Sequence, residues 1–284
     1  KAYKNFVKIC CKYFYVFKSL SMNSPEFLYD YSSLAITSVL FLSIILVNEI
    51  GFRLGFIKKN KTDEDSKSLT NSVQGSILGL LALLLGFTFS MSMQRYDNRC
   101  QALIAETNAI GTLLLRVKLL PTQYQVTSNA LLGEYINLRI AIGHTDLTQR
   151  SQRQAYNQQI NEIQNKLWSI AVAAAQDDPR PVTTGTFINS LNEVIDSQGR
   201  RNAFLQLHVP ETVLLLLFLI FIISGGVLGY SSGLNGRRIT IPTLIVFFLI
   251  TLIVFLIIDL DRPKRGLIQV DQSLMEELQI SPAP

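Results

Sequence analysis

Cysteine is scarce in this chain, and the scarcity bounds its chemistry. The 284 residues hold three cysteines, Cys10, Cys11 and Cys100, with no CxxC spacing and no disulfide framework. Metal and redox chemistry are not indicated, and no cofactor is expected. The Cys10-Cys11 pair lies in a basic, aromatic segment open to acylation at a membrane face, although two idle thiols are the simpler reading. Histidine is scarcer still. His144 and His208 have no partner at ligand spacing and read as surface or capping residues. GxSxG, P-loop, HExxH and dinucleotide-binding patterns are all missing. The polar residues in the middle of the chain are mostly Gln, Asn, Ser and Thr, which hydrate a helix face but make poor acids and bases. An enzyme is therefore not expected. Alternating strand patterns are missing too, which leaves an all-α chain.

Charge is thin where apolar residues are long. Only 17% of the residues are charged against 48% apolar, and the mean hydropathy is +0.27. The block Val73 to Met93, VQGSILGLLALLLGFTFSMSM, carries no formal charge and supplies about 31 Å of helix at about 1.5 Å per residue, enough to cross a bilayer. Pro210 to Tyr230 is a second such block, and Ile239 to Leu260 has no charge before Asp259. Leu34 to Phe56 is interrupted by Asn48, Glu49 and Arg53, so a count of three spans would drop it. The expected fold is a four-helix transmembrane region with a long helical extramembrane domain inserted between the second and third spans. Its parts are a basic amphipathic N-terminal segment at 1–33, spans one and two in 34–93, a helical domain at 94–209, spans three and four in 210–260, and a C-terminal tail at 261–284.

An even number of spans puts both chain ends and the middle domain on one side. That side carries more of the basic residues, among them Lys4, Lys8, Arg95, Arg99, Arg200 and Arg262, than the side holding Arg53, Lys58, Lys59, Lys61, Lys67, Arg237 and Arg238. The balance points to a cytoplasmic middle domain and cytoplasmic termini. Asp63, Glu64 and Asp65 weigh little against it. The net charge of +5 comes from residues scattered beside membrane ends, where anionic headgroups explain them, so no nucleic-acid partner is expected. In KAYKNFVKICCKYFYVFK, Lys4, Lys8 and Lys12 recur one helical turn apart among aromatic residues, the pattern of an interfacial helix. Without an unbroken apolar core and a small-residue cleavage site, it does not read as a secretory signal.

The middle domain reads as helices throughout. Leu103, Thr107, Ile110, Leu114 and Val117 continue the periodicity of the second span until Pro121 stops it, so the spanning helix is expected to run unbroken into water. Leu131, Tyr135, Leu138 and Ile142 form a second stripe. A third, heptad-like stripe runs through Tyr156, Ile160, Ile163, Leu167, Ile170 and Ala174 and asks for a partner helix. Pro179 and Pro181 break the chain, Phe187, Leu191 and Val194 start a fourth stripe, and Pro210 opens the third span. Asn235-Gly236 turns the chain between the last two spans, which form a hairpin. Gly225 and Gly229 on the third span, and Gly75, Gly79, Ala82 and Gly86 on the second, allow close helix packing. For the third span, packing inside one protomer suffices.

The run LLLGFTFSMSMQRYDNRCQAL, with Leu85-Gly86-Phe87 eight residues before Arg95-Tyr96, resembles the second membrane helix of bestrophin channels. Together with ETNAIGT, LRVKLLP, SLNEVIDSQGRR and DLDRP, it makes the stretch from Ser72 to Leu278 similar to the bacterial bestrophin-like family of unassigned function. The resemblance implies a homopentamer around a central pore, with the second span lining a hydrophobic neck. Carried over by position, the neck falls on Phe87, Leu83 and Gly79. Phe87 is the only identity, and Gly79 departs from the bulky apolar pattern. The alternative for Phe87 and Leu83 is packing against the third and fourth spans of their own subunit. Calcium-regulated bestrophins carry a dense acidic cluster after the fourth span. Here Leu267, Ile268, Gln269 and Val270 stand at that place, and Asp259 and Asp261 alone are too few ligands for calcium. Pairing with Arg262 or Arg99 is the plainer role of these two aspartates.

Glu49 is the one carboxylate at membrane depth and a candidate for the ion pathway, though an ion pair with Arg53 four residues on is the cheaper structural answer. Glu106 and Asn108, on the continuation of the second span, are candidates for a vestibule and equally for contacts between subunits. Two functions follow. In one, the chain is a channel subunit in a bacterial plasma membrane or a thylakoid, passing inorganic ions, with chloride or bicarbonate as the first guess. In the other, it is a non-conducting membrane scaffold whose face from Tyr156 to Ala174 docks a partner protein.

Overall fold

A computed structural model of the chain describes residues 31–145, 150–238, 240–264 and 266–280. The basic amphipathic segment read in residues 1–33 lies almost wholly outside the described residues. Eight α-helices are described: α1 (Ser33–Lys58), α2 (Glu64–Arg116), α3 (Thr122–His144), α4 (Arg150–Asp177), α5 (Thr186–Gln206), α6 (Glu211–Asn235), α7 (Thr240–Asp261) and α8 (Ser273–Ile280). No strand occurs among the described residues. Stretches long and apolar enough to cross a membrane lie in α1, α2, α6 and α7. The chain divides into two compact units, one made of residues up to Phe89 with Val209–Ile258, the other of Ser90–His208 with Asp259 onward.

The first unit is held by contact between α1 and α6. A side-chain carbon on Gly51 would strike the Gly226 carbonyl, one on Gly55 the Tyr230 carbonyl, one on Gly229 the Asn48 carbonyl and one on Gly233 the Phe52 carbonyl. The two helices therefore touch backbone to backbone, and only hydrogen side chains fit between them. Gly225 belongs to the same seam, against the Ile44 side chain. The Asn48 amide donates to the Gly225 carbonyl at 2.9 Å, so the polar residue that weakens the first span in a hydropathy reading is what fastens it. Around the seam, Leu40 and Ile44 pack with Leu81, Leu85, Leu217, Phe221, Phe247 and Val254. Phe221 and Phe247 meet edge to face at 6.4 Å, a favoured aromatic geometry. The far side of α7 leaves Ile245, Phe248, Leu249 and Leu252 exposed, the surface a lipid-facing helix presents. α6 ends at Gly236, whose φ of 66° is left-handed and whose N–H reaches back to the Gly233 carbonyl, a glycine C-cap.

In the second unit, the later part of α2 continues without a break to Arg116, a short 3-10 turn follows at Val117–Leu119, and Pro121 stands at the start of α3. Pro179 and Pro181 fall between α4 and α5, where a single π-helical turn spans Pro181–Gly185. The core brings together Ile110 and Leu113 of α2, Leu132 and Ile136 of α3, Ile160, Ile163 and Leu167 of α4, and Phe187, Leu191 and Val194 of α5. Two sequence stripes differ at single positions. On α3 Tyr135 and Ile142 are buried as expected, but Leu131 and Leu138 are only partly buried and Leu132 and Ile136 join the core instead; on α4 Ile160, Ile163, Leu167 and Ala174 are buried and Ala171 is buried in place of Ile170. The last described residues pack against the unit. α8 lies on α3, and its Met275 is fully buried in the core.

Candidate functional site

In the first unit, α2 has two unlike faces. Leu81, Leu85 and Thr88 are buried, while Gly79, Leu83 and Phe87 recur every four residues along an exposed line. Leu83 is 57% and Phe87 61% exposed, values that rule out burial of these side chains among the other helices of their own chain. A side-chain carbon at Gly75, Gly79 or Gly86 would meet nothing within 4 Å, and Ala82 is exposed as well. The close packing that small residues permit is realised within the chain at Gly225 and Gly229, and not at the small residues of α2. Beside this line, Leu78, Leu81, Ala82, Leu85, Gly86 and Phe89 form a groove of about 580 Å³ with Ile250, Ile253 and Leu256 of α7. The groove is lined by carbon.

Glu49 is held at the other end of this unit by two guanidinium groups, Arg53 at 2.8 Å and Arg238 at 3.1 Å. Arg238 also lies over the Phe52 ring at 4.4 Å, a cation–π contact. The Glu49–Arg53 pair anticipated from the i, i+4 spacing is present, with Arg238 as a third member.

In the second unit, the exposed positions on α2 become more polar, with Ser90, Gln94, Asp97, Gln101 and Asn108 beside the exposed Met93, Ile104 and Leu115. Asn108 faces outward. Glu106 does not. It is fully buried, its carboxylate 2.6 Å from Arg139 Nε and 2.7 Å from Arg201 Nη1, and it accepts the Tyr135 hydroxyl at 3.2 Å. Arg201 Nη2 donates in turn to Gln272 Oε1 at 2.7 Å. The correction has a simple cause. Position 106 follows Leu103 and precedes Ile110 on the face that meets α3 and α5, so its charge is spent on helix pairing. Burial pushes the Tyr135 phenol well above its ordinary range, and the Glu106 charge pushes it further. Burial alone would lower the Arg139 guanidinium, but the Glu106 carboxylate outweighs it and raises it.

Arg99 forms a second buried node. It donates to the carbonyls of Phe204 (3.3 Å), Leu207 (3.0 Å), Leu260 (2.9 Å) and Asp261 (2.9 Å), so one guanidinium satisfies carbonyls left over at the ends of α5 and α7. Asp261 Oδ1 lies 3.9 Å from Arg99. Asp259 accepts the Ile268 N–H at 2.9 Å and folds the following loop against itself. His208 is partly buried and its ring approaches the Asp261 carbonyl at the end of α7 at 3.3 Å, the place of a capping residue. His144 is exposed but paired with Glu276 at 3.0 Å. Among the described residues, no three His, Cys, Asp or Glu side chains lie together as a metal site would require. Arg99 was expected from the sequence as a partner for Asp259 or Asp261 and lies beside Asp261, whereas Arg139 and Arg201 were not singled out by a reading that followed apolar periodicity. Arg139 does sit four residues after Tyr135 on the buried face of α3, and that position was the available signal.

Four apolar helices and a wholly helical described fold make this an integral membrane protein of the all-α class. A bestrophin-like domain model matches residues 40–275, and the chain belongs to the bestrophin-like family. Solved structures agree at the level of the fold. One crystal structure of a bacterial bestrophin homolog from Klebsiella pneumoniae, carrying a single substitution, aligns with a TM-score of 0.63 at 16% identity over 85% of this chain and 96% of that one. A second variant of that homolog gives 0.62 at 17% identity over 86% and 95%. A crystal structure described as a membrane protein gives 0.59 at 16% identity over 86% and 97%. No curated protein matches the chain significantly.

Proposed function

We propose that the chain is one subunit of a homopentameric ion channel whose pore is lined by α2, with Phe87, Leu83 and Gly79 facing the axis as a hydrophobic neck. The observation that carries this reading is the exposed line itself. Two bulky apolar side chains and an unpacked glycine recur at four-residue spacing on a face that their own chain leaves bare, next to small residues open to close approach. Rings of Phe87 and Leu83 would narrow an axial opening and hinder hydrated ions by dewetting. Beyond the neck, Asn108 and the polar positions before it would line a vestibule within the 94–209 domain, which we place on the cytoplasmic side with both termini. Small inorganic anions such as chloride or bicarbonate are the first candidates to pass.

A scaffold that docks a partner through Tyr156 to Ala174 loses its main support, because Ile160, Ile163, Leu167 and Ala174 are spent in the core. The test is reconstitution in a planar bilayer beside Phe87→Ala. Wild-type single-channel currents, with higher conductance or lost gating in the variant, support the neck. Currents that Phe87→Ala leaves unchanged refute Phe87 as a constriction, and a monomeric, non-conducting particle refutes the channel.

A further inference from the structure

The end of the first unit where α1 finishes, α2 begins and α6 finishes holds a cleft of about 620 Å³, within the range of about 300–1,000 Å³ that ligand pockets occupy. Three cations from three separate elements line it: Lys59 after α1, Lys67 in the first turns of α2, and Arg237 after α6. Between them stand neutral hydrogen-bonding groups, the amides of Asn71 and Gln74 and the Ser232 hydroxyl. Ser231 is turned to Asn71 at 2.5 Å, which fixes one wall. The one carboxylate of the lining, Glu64, is 88% exposed and already bound to Lys67 at 2.7 Å. Among the described residues, the Lys59 ammonium and the Arg237 guanidinium have neither ion-pair nor hydrogen-bond partners, and Lys59 lies against Gly236 at the turn that closes α6. The remaining wall includes Leu228, an apolar residue one step into the membrane-crossing part of α6.

We propose that this cleft binds a phosphate group, supplied by the headgroup of an anionic phospholipid. Cations without partners that converge on a polar hollow select an anion. Neutral donors beside them suit the several oxygens of a phosphate. The site lies at the ends of membrane-crossing helices, which is headgroup depth, and the Leu228 wall gives an acyl chain a path along the protein. This site stands at the start of α2, before the line of Gly79, Leu83 and Phe87, and its existence does not depend on conduction.

The test measures phosphatidylglycerol and phosphatidylcholine binding to the full chain in detergent, by native mass spectrometry and by the melting temperature. Wild type is compared with the double variant Lys59→Gln/Arg237→Gln and with Lys61→Gln, an exposed cation of the same loop outside the cleft. Retained phosphatidylglycerol with a raised melting temperature in wild type and Lys61→Gln, weakened about tenfold or more in the double variant, supports the site. Millimolar inorganic phosphate that reproduces the stabilisation and displaces the lipid adduct supports the phosphate chemistry and assigns a free anion as the source. Equal phosphatidylglycerol retention in wild type and the double variant overturns the proposal. So does a loss of binding that Lys61→Gln shares in full, since that outcome marks diffuse surface charge. Both substituted side chains make no structural ion pair, so the double variant is expected to fold.

Discussion

Replacing Glu106 by Gln keeps the shape of the side chain and an acceptor for the Tyr135 hydroxyl but removes the one negative charge between two buried guanidinium groups. Glu106 is fully buried, and Arg139 and Arg201 are only 1% and 5% exposed, so solvent screening takes little from the interaction. Removing one partner of such a buried group leaves the others uncompensated, at a cost of about 3–5 kcal/mol. For a unit of this size, where each kcal/mol moves the midpoint by about 2–4 °C, the melting temperature should fall by about 6–20 °C. The assay is built into the chain. Trp168, its single tryptophan, lies on α4 in the second unit and is 41% exposed, so intrinsic fluorescence during heating reports on that unit. Glu106→Gln that melts within about 2 °C of wild type would refute the argument. A second arm separates charge from packing: the triple variant Glu106→Leu/Arg139→Met/Arg201→Met, which removes every charge of the network, should recover much of the loss, because an apolar replacement of a whole buried ion network is often neutral. If the triple variant is worse than Glu106→Gln, the network holds the helices by its hydrogen bonds and not by balancing charge.

What could be read from the sequence, and what could not, divides along a physical line. The spans, the uninterrupted run of α2 past Met93 to Arg116 and the breaks at Pro121, Pro179 and Pro181 all follow from local signals: an uncharged stretch of sufficient length, a 3.6-residue period, a ring that cannot continue a helix. The features that fasten the units depend on residues far apart in the chain. Asn48 and Glu49 lower the hydropathy of the first span, yet Asn48 secures it to Gly225 and the neighbouring Gly51 and Gly55 let α6 touch it. A polar residue inside a span can mark packing, and hydropathy scores it only as a cost. Glu106 looked like a vestibule residue because it lies on the continuation of the span expected to line a pore; its partners, Arg139 and Arg201, lie on two other helices and no spacing rule links them. The α4 stripe was legible as a face in need of a partner, while the identity of that partner, the core of its own unit, was not. For Phe87 and Leu83 the period shows which residues share a face, but an apolar face in a membrane can meet lipid, a lumen or a neighbour at the same hydropathy. Only the exposure of these side chains removes the self-packed alternative.

Two further predictions rest on this anatomy. Calcium should leave any conductance unchanged, because Asp259 and Asp261 are engaged with the Ile268 N–H and the Arg99 end cap and, among the described residues, no third carboxylate joins them; a current that rises with micromolar calcium in the reconstituted bilayer would show otherwise. The glycines make the sharper comparison. Gly233→Ala puts a methyl group into the Phe52 carbonyl, where the obstacle is backbone and cannot swing aside, so α1 and α6 must separate; overpacking of this kind costs about 1–3 kcal/mol or more, and folded yield and melting temperature should both fall. Gly79→Ala adds the same methyl group to open space and, by replacing glycine within a helix, should hold or slightly raise the stability of the single chain, by up to about 1 kcal/mol. Any damage from Gly79→Ala must then come from contact between copies, so a variant that folds and melts like wild type yet runs as a smaller particle on size-exclusion chromatography would place the bare face of α2 in the assembly. Assembly and single-channel conductance both unchanged by Gly79→Ala and by a bulkier Gly79→Leu would instead show that the face meets neither a neighbour nor a lumen, and the neck would lose the surface on which it is drawn.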